Sequence, residues 1–324
     1  MYPTGILDTL SSQPPANILQ TGSSRELLKW SIEFLKQSGV VEATYESRYL
    51  MAHALGVKPG LVQLTGMTLD RQQIGTILGL LRRRVAGEPF QYLVGEVGFR
   101  RGIFTCRPGV LIPRPETETL VERAMAHLHP APAEYMRILE LGTGSGAPII
   151  SLAMEFPKYT YVATDLDGQA VALAEENAVR NGVADRIAFL QGDWWEALQE
   201  HRVNLPFDLI ISNPPYVATQ EIPNLPIEVR EHEPHTALDG GADGLAFYRR
   251  LVGELPQFLR PGGWVLVEVG DGQAGAVQSL FEHAGLTKVG VTFDLHNLPR
   301  VVEGRLPAGT EEEAAAEEEV PESE

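Results

Sequence analysis

Two rhythms of apolar residues divide the chain. In its first quarter they recur at helical spacing. Leu28, Ile32 and Leu35 share one face of a segment that Ser24 can cap and Gly39 can close, and a second helix covers residues 45–55. A third begins near Asp70 and places Ile74, Ile77, Leu78, Leu81 and Val85 at i, i+3, i+4 steps until Gly87 and Pro89 stop it. These helices predict a small bundle over residues 21–89. Residues 1–20, rich in Ser, Pro, Thr and Gln without periodicity, read as a flexible arm. Residues 90–110, rich in Gly and β-branched side chains, read as a β-hairpin linker.

From residue 137 the rhythm changes to short apolar runs alternating with helical stretches. Residues 137–141, 160–165, 186–190, 207–212 and 263–269 are strand candidates, the pattern of a doubly wound α/β fold with a mostly parallel sheet. Residues 286–293 and 299–304 follow with no room for a helix between them. A seven-stranded sheet ending in an antiparallel pair is therefore expected over residues 111–305. The Glu/Ala-rich stretch 306–324 reads as an acidic disordered tail.

Charge changes the picture in one respect. The 324 residues carry a formal net charge of −17, and removing the eight glutamates of residues 311–324 still leaves −9. Proteins that bind nucleic acid by neutralising phosphates show a basic balance, so a protein or small-molecule partner is favoured over direct nucleic-acid binding. The single cysteine, Cys106, excludes an internal disulfide and a cysteine-rich zinc site, and the histidines lack ligand spacing, so no metal is expected. Apolar runs are strand length, below the ~20 residues of a membrane span, and the start lacks a signal pattern. No membrane partner and a cytoplasmic address are the expectation. Arg82-Arg83-Arg84, at the end of the third helix, read as a solvated helix end favoured by the helix dipole.

Candidate chemistry gathers after the strands. The first leads into Glu140-Leu141-Gly142-Thr143-Gly144-Ser145-Gly146-Ala147, a strand-to-helix turn whose backbone N–H groups can lie against a nucleotide or adenosine-like ligand. Asp165, at the end of the second strand, is placed to hold ribose hydroxyls. After the third, Asp193 can accept from an adenine amino group and Trp194 can cover its ring; a polar loop and a core tryptophan are the alternative. The fourth strand stops in Asn213-Pro214-Pro215-Tyr216. Two prolines force the backbone out of the ladder with free carbonyls, an amide stands on one flank and a ring on the other, and the result is a slot for a planar NH2 group. An NAD-linked dehydrogenase has no use for that turn, and a non-catalytic binding module would not need the glycine loop, Asp165 and Asn213 together.

These segments resemble the release factor glutamine methyltransferases. The resemblance is carried by Gly87-Glu88-Pro89-Phe90-Gln91-Tyr92-Leu93-Val94-Gly95, Leu111-Ile112-Pro113-Arg114-Pro115-Glu116-Thr117-Glu118, the glycine loop, the Asn-Pro-Pro-Tyr turn, Glu233-Pro234 with Ala237-Leu238-Asp239-Gly240-Gly241, Pro261-Gly262-Gly263 and Arg300-Val301-Val302. It implies a Rossmann-like methyltransferase sheet, S-adenosyl-L-methionine as methyl donor, and class 1 peptide chain release factors as partners, whose Gly-Gly-Gln glutamine is methylated at its amide nitrogen. The helical region becomes a release-factor-recognition domain. Asn213, Pro214 and Tyr216 take catalytic roles, Pro215, Arg114 and Glu116 join them around the substrate, and Gly142, Thr143, Gly144, Ser145, Gly146, Asp165, Asp193, Trp194 and Asn213 hold the donor. For Arg114 and Glu116 an interdomain salt bridge is an equal alternative. The Asn-Pro-Pro-Tyr turn also suits the exocyclic amine of adenine, which leaves adenine-N6 or another nucleic-acid amine as the competing acceptor. Glu140, where the family usually has Asp, and Pro148, in a first helical turn, are departures that leave the donor site intact.

Overall fold

A computed structural model describes residues 14–64, 66–129 and 135–308. It divides into two compact units. One contains the described residues up to Glu96 together with Leu225–His232; the other contains the remainder.

The helical unit holds α1 (Ala16–Thr21), α2 (Ser24–Gln37), α3 (Ala43–Leu55), α4 (Pro59–Leu64), α5 (Arg71–Val85), α6 (Phe90–Val94) and the downstream turn α11 (Ile227–Arg230). Its core is apolar and includes Leu27, Leu35, Leu50, Met51, Ile77 and Leu81. Asp70 caps α5 through a reciprocal pair with Gln73, satisfying two N-terminal donors at once. Ser23, not Ser24, caps α2; Ser24 is buried and its hydroxyl accepts from the Met67 N–H. The arm expected over residues 1–20 lies outside the described residues up to residue 13, and then turns into α1, whose Ile18 is buried in this core. The arginine run is not a solvated helix end throughout. Arg84 is buried, donating to Glu46 at 2.6 Å and to Glu228 at 3.1 Å, because its position on α5 faces α3 rather than solvent.

The second unit is built on a sheet of β3 (Arg137–Leu141), β4 (Thr160–Asp165), β5 (Ile187–Gln191), β6 (Phe207–Ser212), β7 (Leu259–Glu268), β8 (Thr287–Phe293) and β9 (Pro299–Arg305) in the order β5-β4-β3-β6-β7-β9-β8. The first five are parallel, and β9 lies antiparallel between β7 and β8, as the missing helix implied. Alternation decides the two faces. Ile138, Leu209, Ile211, Leu266 and Val301 enter one apolar cluster, while Leu139, Ile210, Val265, Val267 and Val302 enter the other. Helices α7 (Glu118–Leu128), α8 (Ala147–Glu155), α9 (Gly168–Arg180), α10 (Trp195–Glu200), α12 (Ala246–Glu254) and α13 (Ala274–His283) cover them.

The expected hairpin linker is corrected in two ways. Residues 90–94 are helical, and the hairpin proper, β1 (Glu96–Phe99) and β2 (Gly102–Thr105), belongs from Val97 onward to the second unit. Phe99 and Phe104 meet edge to face at 5.9 Å inside its core, and Asn177 of α9 and Asn181 just beyond it bond the β2 backbone as a neighbouring strand would. At the other end Leu306 exchanges backbone bonds with Gly262 and Gly263 and Ala308 is buried, so the packed chain runs past residue 305; the acidic stretch from residue 309 lies outside the described residues. No helix among the described residues is long and apolar enough to cross a membrane.

Candidate active site

The strand order reverses between β3 and β6, and an open parallel sheet forms its ligand crevice at the carboxyl ends of the strands flanking such a point. Register sets what meets there. Leu141 pairs with Ser212, and the Ser212 hydroxyl donates to the Leu141 carbonyl at 2.7 Å. The next residue on each strand is Gly142 on one side and Asn213 on the other, so the glycine loop and the Asn-Pro-Pro-Tyr turn emerge side by side.

The loop is held from behind. Gly142 and Thr143 both donate to the Thr164 carbonyl, and Gly144 donates to Asp165 Oδ2 at 2.8 Å. The buried Thr143 hydroxyl donates to Glu140, whose burial pushes its carboxyl up to about 8. The Ser145 carbonyl accepts from the buried Asn177, and Gly146 packs on Ile150 and Ala174. Of the five loop residues expected to hold the donor, Gly142 and Gly144 present open backbone to a cavity of about 300 Å³. Thr143, Ser145 and Gly146 instead face a smaller recess of about 40 Å³, or the core behind it.

Asp165, Asp193, Trp194 and Asn213, from the expected donor set, line the larger cavity, and so does Pro215, expected on the substrate side. The wall also includes Val110, Leu111, Asp167 and Phe247, and Leu166, whose apolar side chain stays 63 % exposed beside the acidic pair. Both oxygens of Asp165 are engaged on one side, Oδ2 by Gly144 and Oδ1 by the Asp167 N–H at 3.0 Å, which leaves each a second lone pair for a ligand. Burial raises its pKa against those amide bonds. Asp193 accepts from Arg250 at 2.6 Å, an ion pair that leaves its second oxygen for a ligand. Trp194 is a core residue that also borders the cavity. It lines the cavity, yet is 5 % exposed, packed against Phe247 with Arg250 over its ring, at a backbone φ of +46° that side chains rarely adopt.

On the other flank, Asn213 Nδ2 donates to Thr117 Oγ1 at 3.2 Å. Thr117 ends a one-turn 3-10 helix, Pro115–Thr117, inside the segment 112–118. Tyr216 donates to Glu268 Oε1 at 3.5 Å, and burial raises its pKa. The Ala237-Leu238-Asp239-Gly240-Gly241 stretch earns its place here: Val217 bonds to Leu238 and Gly240 as in a strand pair, and a side chain at Gly240 or Gly244 would collide with the backbone of Pro215 or Tyr216. Arg114 donates to the buried Glu233 carboxylate, a pair inside the second unit rather than an interdomain bridge. Glu116 acts on Glu268 and Tyr216 through its charge.

Sequence reasoning named neither Glu268 nor Asn177, and quoted Thr117 without a role. A carboxylate ending a buried strand, and an Asn four residues before another Asn on a helix, were the signals available.

Residues 26–95 match the family described as PrmC N-terminal domain, and residues 133–303 match a methyltransferase domain family. The release factor glutamine methyltransferase of Geobacter sulfurreducens is 39 % identical over 283 residues, covering 87 % of this chain and 96 % of that one. Its counterpart in Bradyrhizobium diazoefficiens is 39 % identical over 289 residues, covering 88 % and 96 %. Among solved structures, the hMettl16 catalytic domain bound to an RNA hairpin aligns with a TM-score of 0.50 at 16 % identity over 80 % of this chain and 93 % of that one, a likeness of fold alone. With relatives of that identity spanning nearly their whole length, the chain belongs to the release factor glutamine methyltransferase family.

Proposed function

We propose that this protein transfers a methyl group from S-adenosyl-L-methionine to the side-chain amide nitrogen of the glutamine in the Gly-Gly-Gln tip of class 1 peptide chain release factors. One observation supports the reading: the Leu141–Ser212 register brings Asn213 and Pro215 of the Asn-Pro-Pro-Tyr turn to the wall of the cavity that Gly142 and Gly144 open. The residues present fit the donor. Open glycine backbone suits a close-lying ligand, Leu166 offers an apolar surface to a base, and Asp165 and Asp193 offer acceptors to hydroxyl and amino groups. When bound, the donor supplies an activated methyl on a sulfonium centre, which requires no metal.

The protein's own task is geometric. A carboxamide nitrogen is a weak nucleophile because its lone pair is delocalised, so holding it in line supplies much of the acceleration, ~7–11 kcal/mol in favourable cases. Asn213 Oδ1 and the Pro214 carbonyl accept the two amide hydrogens, and Tyr216 packs on the amide plane. As positive charge grows on nitrogen the same acceptors bind its protons more strongly. The N-methylated, protonated amide is acidic enough to lose its proton to water, so no dedicated base is assigned. Arg114 and Glu116 line the substrate side, and the helical unit recognises the body of the release factor in the cytoplasm.

Incubation with labelled S-adenosylmethionine and either a class 1 release factor or nucleic acid tests this. Label should enter the release factor and vanish when its Gly-Gly-Gln glutamine is replaced. Label confined to nucleic acid would overturn the reading in favour of an adenine-type amine.

A further inference from the structure

We infer that Thr117, braced by the carboxylate of Glu268, sets the orientation of the Asn213 amide and so decides which of its ends meets the substrate. The inference deepens the glutamine reading and rests on it for its catalytic consequence. An asparagine amide has two ends of nearly equal size, an acceptor oxygen and a donor NH2. Only the oxygen can receive the hydrogens of an incoming NH2 group. Turned over, Asn213 would set donors against donors.

Asn213 Nδ2 donates to Thr117 Oγ1 at 3.2 Å, which aims Oδ1 away from Thr117. A hydroxyl can accept there only while its own hydrogen is directed elsewhere. Glu268 gives that hydrogen a destination. It ends β7, is 1 % exposed, and keeps one oxygen, Oε2, buried without a hydrogen-bond partner, while the Thr117 hydroxyl beside it stabilises the charged form. A buried charged acceptor left unmet is costly, so the Thr117 hydrogen is drawn to it. Thr117 is itself 4 % exposed, so water does not compete for its hydroxyl. The same carboxylate receives Tyr216 on Oε1. A single buried charge thus holds both flanks of the Asn-Pro-Pro-Tyr turn, one directly and one through Thr117.

The arrangement depends on Glu268 being ionised. Burial pushes its pKa up to about 7, against the Thr117 hydroxyl, the charge of Arg300 on β9 and the Tyr216 hydroxyl, while Glu116 pushes in the same direction as burial. Tyr248 of α12 faces it too, donating to its main-chain carbonyl at 2.8 Å. Once protonated, Glu268 no longer draws the Thr117 hydrogen toward it. The Thr117 hydrogen is then free to turn toward Asn213, and the amide loses its fixed direction.

The test reads the amide itself. In 15N-labelled protein, the Asn213 side-chain NH2 pair is identified by its absence in Asn213→Ala. Thr117→Val should move that pair to the positions of an unbonded amide, and Thr117→Ser should leave it near the wild-type ones. The wild-type pair should titrate with a midpoint near 7, and Glu268→Gln should abolish that titration. With a class 1 release factor as acceptor, Thr117→Val should lower kcat about 10- to 100-fold with unchanged donor affinity by calorimetry, and Thr117→Ser should restore most of it. An unmoved amide pair in Thr117→Val, or an unaltered titration in Glu268→Gln, would overturn the inference. Should Thr117→Val not fold, the Thr117→Ser and Glu268→Gln spectra decide alone. The spectra need no methyl acceptor, so a failed release-factor assay strikes the parent reading and leaves this test intact.

Discussion

The main-chain N–H of Gly144 donates to Asp165 Oδ2 across 2.8 Å, joining the loop after β3 to the end of β4. The other oxygen of the same carboxylate accepts from Asp167. Asp165 therefore shapes the floor of the cavity before any ligand arrives. Asp165→Asn must turn a donor toward one of these two amides, and donor affinity should fall at least ~10-fold, the scale of one charge-assisted hydrogen bond lost. Calorimetry with S-adenosylhomocysteine checks it.

Two glycines of one loop should respond differently. At Gly146, with φ at +80°, a Cβ would lie 2.8 Å from Ile150 Cδ1 and 3.1 Å from Ala174 Cβ. Gly146→Ala should cost about 2–4 kcal/mol of stability from left-handed strain and overpacking together. At Gly144 a Cβ would meet open space. Gly144→Ala should cost only about 1–2 kcal/mol, the strain alone, yet weaken donor binding more than its stability loss suggests. Urea melts paired with ligand titrations separate the two.

Acid stability should hinge on Glu303. It accepts a two-pronged bond from Arg123, at 2.5 and 2.6 Å, and another from His127 at 2.9 Å, whose ring stacks on Trp264. These partners outweigh burial and bring its pKa down to about 2. A depressed carboxylate stabilises the fold above its unfolded pKa, ~4.3, and loses that contribution as pH falls toward 2. Glu303→Gln should therefore destabilise by about 3 kcal/mol at neutral pH, with the difference from wild type closing between pH 5 and 2. Denaturant melts across that range provide the measurement.

Asn213→Ala should abolish transfer while leaving donor affinity within about threefold, because its assigned task is to hold the acceptor amide. A large loss of donor affinity would move Asn213 from the substrate side to the donor side. Single-turnover transfer alongside calorimetry distinguishes these.

Much of this site was legible from spacing because the fold places it by strand ends. Residues 137–141, 160–165 and 207–212 are the observed strands, so the loops that follow them had to gather on one edge. What escaped notice was whatever depends on how side chains and turns pack, whether the partner is near or distant in sequence. Arg84 reads as a helix-end cation until Glu46 and Glu228 are found around it. Thr143 reads as a loop hydroxyl facing a ligand until its bond to Glu140 turns it inward. Residues 90–94 follow Pro89 and precede Gly95, two breakers that disguised a five-residue helix as the start of a hairpin. Glu268 sits at the end of an apolar strand and gives no periodic signal, because its role comes from what β6 and the segment 112–118 bring to it.

Leu225–His232 leaves the catalytic unit soon after the Asn-Pro-Pro-Tyr turn and packs with the helices, where Glu228 receives Arg84 and Ile227 lies against Gly87. The helical unit is thus written in two separate places along the gene. A recombination that exchanged only the first ninety-six residues between relatives would bring in an Arg84 and a Gly87 shaped for another lineage's Glu228 and Ile227. The two stretches of the helical unit are therefore coupled, and a change at Arg84 or Gly87 calls for a matching change at Glu228 or Ile227.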